Sequence, residues 1–220
     1  MRLDFVRKEL LQFINDEIKT KYKYFDKAHN ISHFNFVTKN CVNYSKELIK
    51  QGQNIDLELA YTIGALHDIV IENGREGHAK SSGNLVRNNK KMQQFFSKET
   101  IELIAQAVED HSSHLDYPPR SIYGKIVADA DRNNTMYLVF SRPIKYALKN
   151  EKGHSRQEHI DRVYNFVQNK FGENGYVKYW IDIPQTTQEQ SAIWQLLNNK
   201  DLCKSYIAGI LDEISKGKLK

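Results

Sequence analysis

The stretch AYTIGALHDIVIEN, residues 60–73, sets an imidazole beside a carboxylate, His67–Asp68, in a run whose first eleven residues are almost all apolar or small. Leu59, Ala60, Ile63, Leu66, Ile69 and Val70 recur at helical spacing, which predicts a helix buried around most of its circumference. An adjacent imidazole and carboxylate in such a wall are costly unless something pairs with them. A divalent metal ion partners both, since it accepts neutral nitrogen and ionised oxygen together. Glu72 follows Asp68 by four residues, so on a continuing helix it shares that face one turn on. From there it could orient or deprotonate a water, or protonate a leaving oxygen. A His-Asp dipeptide alone is a common surface pair, so the chemistry depends on what else converges.

Three further segments carry candidates. HNISH places His29 and His33 four residues apart, on one face if that segment is helical. His78 and His111 stand in polar surroundings, GHAKSS and EDHSSH, at expected helix ends from which side chains can reach over a cleft. DADR at 129–132 offers Asp129 and Asp131, which point to different sides and leave one to face a site. Arg132, Lys80 and Arg75 lie near these motifs and are the candidates to hold an anionic group of a substrate. Each residue also has a plainer explanation: a core histidine, a helix cap at Asp129, a solvated basic face. Those explanations leave the order unaccounted for, a His, then His-Asp in an apolar helix, then an acid in a later apolar helix.

Bringing these residues together requires helices. Only four Pro in 220 residues, with few strand-like alternations, predict an all-α fold. Helices are expected over residues 3–21, 32–50 (with Ser32 as cap), 56–70, 78–89, 98–111 and from about 121 through DADR. MYLVFSRPIKYALKN, 136–150, reads as two short helices bent at Pro143. Further helices are expected at 155–171, 186–198 and 201–216. The expectation is one domain over 1–220, with a motif-bearing core at about 25–140 and a helical extension at about 155–216. The link 172–185 is the best candidate for a boundary.

Composition narrows the partners. Ten Phe, twelve Tyr and two Trp can fill a sizeable core. A net charge of +5, scattered rather than clustered, suits a small anionic substrate and lacks the footprint of a nucleic-acid binder. Cys41 and Cys203 stand far apart without a CxxC, which fits a reducing cytoplasm. No apolar run approaches a membrane span, and the N-terminus does not read as a signal peptide.

The ordered motifs ISHFNFV, GALHDIVIEN and IVADADRNN resemble the HD superfamily of metal-dependent phosphohydrolases, whose pattern is H…HD…D on an all-α core. The resemblance covers residues 25 to about 140 and implies His33, His67, Asp68 and Asp131 as ligands of one divalent ion, with Asp129 the alternative closing acid. Mn, Fe, Co, Ni and Mg are the candidates; two imidazoles favour a transition metal. Asp68 and Glu72 take the catalytic roles. Larger members carry two extra histidines between HD and the final Asp, and His78 and His111 match in order. They are expected to face the cleft and contact phosphate or a loosely held second ion. The implied function is a metal-dependent phosphohydrolase acting on a small phosphorylated substrate, a nucleotide being the favoured class, in a chain compatible with a homo-oligomer. Alternatives are an alarmone (guanosine polyphosphate) hydrolase-like enzyme and a catalytically silent nucleotide-binding regulatory module. Against the alarmone alternative, Ile71 stands where that group carries an acid, and no synthetase region is present.

Overall fold

The computed structural model describes residues 2–26, 29–71, 77–132 and 135–217. Among them are eleven α-helices and no strand, so the protein is all-α. The chain forms two compact units, Met1–Arg132 and Asn133–Lys220. The link 172–185 therefore lies inside the second unit.

The first unit begins with a turn closed by Val6 N–H donating to the Leu3 carbonyl, so α1 is short, Lys8–Phe13, where a helix over 3–21 was expected. A π-helical turn, Ile14–Ile18, follows it directly. Its wide register, with Lys19 N–H donating to the Ile14 carbonyl, keeps Leu10, Ile14 and Ile18 all buried. A 3₁₀ turn, Lys21–Lys23, then carries the wholly buried Tyr22.

Helix α2, Ile31–Lys50, is capped by Asn30 rather than by Ser32. The extended backbone of Asn30 lets its side chain accept from Ser32 N–H and His33 N–H, two of the donors a helix start leaves over. Asp56 does the same for α3, Leu57–Leu66. Helices α4, His78–Asn88, α5, Met92–Phe95, α6, Lys98–Glu109, and α7, Ile122–Arg132, complete the unit. In it α2 packs on α3 and α7, α4 on α6, and α3 also meets α6 and α7. The approach of α2 to α3 is close: a Cβ on Gly64 would lie 2.9 Å from Cys41 Sγ and 3.2 Å from Thr38 Cα.

The second unit contains α8, Met136–Asn150, α9, Arg156–Phe171, α10, Pro184–Asn198, and α11, Lys200–Ser215. Its core holds Phe140, Ile144, Val163, Val167, Ile193 and Ile207. Pro143 does not divide 136–150 into two helices, because α8 continues through it. An internal proline costs about 3 kcal/mol, but Val139, Phe140, Ile144 and Ala147 bury one continuous apolar side.

Candidate metal centre

The expected helix 56–70 ends four residues early, at Leu66, and the cause lies in the His-Asp pair itself. In an unbroken helix the Gly64 carbonyl would accept from Asp68 N–H. Here His67 Nδ1 takes that carbonyl at 2.9 Å, while Asp68 N–H donates to Tyr22 Oη at 3.3 Å. Tyr22 Oη in turn donates to the Ala65 carbonyl at 3.0 Å. The chain beyond tightens to shorter loops, with Ile69 N–H on Leu66 and Ile71 N–H on Asp68. Glu72 and Arg75 lie outside the described residues.

Five segments converge on Asp68. His33 comes from the first turn of α2, His67 directly follows α3, and His78 opens α4. His111 stands just beyond α6, and Asp131 lies in the last turn of α7. Asp68 is 2% exposed and His67 fully buried. The two oxygens of Asp68 face opposite ways. Oδ2 lies 3.1 Å from His67 Nε2 and 3.3 Å from His33 Nε2. Oδ1 lies 3.2 Å from His78 Nε2 and 3.3 Å from His111 Nε2. Asp131 Oδ1 closes the first side, 3.2 Å from His33 Nε2 and 3.9 Å from His67 Nε2.

Ring orientation follows from the outer bonds. A carbonyl can only accept, so the Nδ1 of His67 on Gly64 and the Nδ1 of His111 on Val108 both carry hydrogen. That leaves the Nε2 of each ring facing Asp68. Yet Asp68 Oδ1, shielded from solvent, receives no hydrogen bond of proper geometry. Nitrogen lone pairs and a carboxylate oxygen crowded around one point are the donor set of a divalent ion. Ligand atoms of His33, His67 and Asp68 lie within 4.8 Å of one another, as do those of Asp68, His78 and His111. Both groups could hold a metal ion.

Without an ion, protons do the balancing. Burial alone would lower His33, but hydrogen bonds to Asp131 and Asp68 outweigh it and lift its pKa to about 9. Burial would likewise raise both carboxylates. The imidazoles, His67 foremost for Asp68 and His33 for Asp131, instead hold them well below the usual range.

Of the other expected residues, Arg132 is buried, donates to the Ser112 carbonyl at 3.2 Å, and pairs with the fully buried Asp129. Lys80 is exposed on α4. His29 lies ahead of α2, so the shared helical face with His33 does not apply; its ring meets His33 edge-on and bonds Asp26 at 2.7 Å. Two supports were not foreseen. Tyr22 gave no signal beyond an aromatic-rich connection. Asp110, fully buried, accepts from Arg120 N–H at 2.6 Å and Nε at 2.9 Å and so fixes the turn that carries His111.

Residues 31–136 match the family model described as the HD domain. This segment is an HD domain. All five converging segments fall within the match, whereas Tyr22 precedes it. HD domains belong to a superfamily of metal-dependent phosphohydrolases and bind divalent metal. No curated protein and no solved structure matches the chain. No helix among the described residues is long and apolar enough to cross a membrane.

Proposed function

We propose that the protein hydrolyses a small phosphorylated substrate, a nucleotide being the favoured class, at a centre built around Asp68. The observation that carries this reading is the two-sided environment of Asp68, one carboxylate oxygen toward His33 and His67, the other toward His78 and His111. His33, His67, Asp68 and Asp131 would hold one divalent ion, and His78 and His111, sharing Asp68, a second. When bound, such ions supply positive charge for a phosphoryl oxygen and acidify water.

The chain's own groups do the rest. Gly64 and Val108 fix the tautomers of His67 and His111, so neither ring reorients on loading. Tyr22 holds the Asp68 backbone in place. Glu72, the acid that follows Asp68 by four residues, would move the proton between water and the leaving oxygen, and Lys80 and Arg75 would meet phosphate. Arg132 supports the fold of α7 more than substrate, since its donors turn to Ser112 and Asp129. Ile71, buried where an alarmone hydrolase carries an acid, weighs against that narrower activity. A silent binding module would have no need for so complete a set of ligand positions.

The test is a screen of nucleoside mono-, di- and triphosphates for released phosphate or pyrophosphate, with the full chain loaded in turn with Mn²⁺, Co²⁺ and Mg²⁺. Asp68→Ala is expected to abolish both turnover and metal retention. Equal turnover by Asp68→Ala, or none by the loaded wild type on any phosphoester, would overturn the reading.

A further inference from the structure

A second cluster of metal-type ligands lies in the other unit, where α8 passes into α9. Glu151 follows the last residue of α8, Gly153 turns the chain with a φ of +100°, and His154 follows the turn. His159 stands in the first turns of α9, whose start is fixed by a reciprocal capping pair between Ser155 and Glu158. A ligand atom from each of Glu151, His154 and His159 lies within 4.8 Å of the others. The two imidazoles meet edge to face, with centroids 5.6 Å apart.

Local structure explains part of this arrangement. The capping pair accounts for Ser155 and Glu158, and Arg162, one turn beyond His159, ion-pairs with Glu151. It does not explain His159. That residue is 8% exposed, and its Nδ1 is buried with no hydrogen-bond partner. A buried imidazole nitrogen left in that state is destabilising, and the His154 imidazole and the Glu151 carboxylate are within reach of a ligand shared with His159.

We propose that Glu151, His154 and His159 form a second, independent binding site for a divalent transition metal of the zinc type. Two nitrogens and one carboxylate oxygen are a set that borderline ions accept and that Ca²⁺ or Mg²⁺ do not prefer. Three protein ligands leave a coordination position for water. Arg162 keeps part of the Glu151 charge, so this site fills after the Asp68 centre. Filling it ties the 151–155 turn to α9. The site does not depend on the proposed hydrolysis, since none of its residues belongs to the HD domain match.

The experiment titrates Zn²⁺ into the metal-free full chain while following the side-chain nitrogens of its histidines by NMR, and repeats the count of bound equivalents for His154→Ala. His154 is exposed, so its loss leaves packing intact. The wild type should show the His159 nitrogen resonances shifting with the last equivalent bound. His154→Ala should bind one equivalent fewer, with its Mn²⁺-supported phosphoesterase activity unchanged. Two results overturn the proposal. One is a His159 ring that does not respond to Zn²⁺ in the wild type; the other is a His154→Ala chain that binds as many equivalents as the wild type.

Discussion

The residues around Asp68 carry two expectations at the level of single side chains. Glu72→Gln should leave the count of bound metal unchanged and lower turnover by roughly 10²–10⁴, the span of general acid–base catalysis. Full activity in that variant would assign proton transfer elsewhere. The second expectation concerns pH. In the metal-free protein the His33 pKa stands near 9, above the ordinary imidazole value of about 6.5. A group whose pKa is raised by folding stabilises fully below its unfolded value and loses that contribution as pH climbs through its folded value. Chelator-treated protein should therefore lose stability against urea between about pH 6.5 and 9, and His33→Gln should flatten the loss. Loading an ion requires the same proton to leave, so affinity for metal should rise over that window. An unchanged urea midpoint across it would show that His33 is not held by the carboxylates.

At the scale of elements, the close approach of α3 to α2 is the one that aligns His33 and His67. Gly64 lets α3 lie against Thr38 and Cys41 of α2, and the two histidines stand at one end of that contact. Gly64→Ala should destabilise by about 1–3 kcal/mol through overpacking, although a glycine-to-alanine change in a helix interior ordinarily stabilises. Adding Cys41→Ala should recover only part of it, because the Thr38 backbone remains 3.2 Å from the new carbon. Denaturant midpoints of the two variants check this. The same contact shows what sequence could and could not convey. Apolar periodicity marked α2, α3, α6 and α7, and the order of His, His-Asp and Asp marked residues that the fold does bring together. Periodicity carried no information on where α3 stops, because its end is set by Tyr22, remote in sequence, and by a histidine ring competing for a helix carbonyl. Nor could it choose between a kink and a continuous α8 at Pro143, which the burial of the helix's apolar side decides.

For the molecule as a whole, the first unit extends well ahead of the segment that matches the HD domain. Leu10, Ile14, Ile18 and Tyr22 are all buried, and all precede residue 31. Removing residues 1–30 should abolish cooperative unfolding of the first unit, seen as a broad denaturant transition. The milder Tyr22→Phe should cost about 1–3 kcal/mol, the range for leaving buried groups without a partner, and should weaken metal retention. Unchanged metal retention in Tyr22→Phe would mean that the Asp68 backbone needs no such support. The Tyr22 hydroxyl thus separates two kinds of boundary. Ancestry is recognisable from residue 31, while the packed unit already takes in Leu10, Ile14, Ile18 and Tyr22. A transplant of the recognisable part into another protein would carry the ligands across and leave behind the hydroxyl that seats one of them.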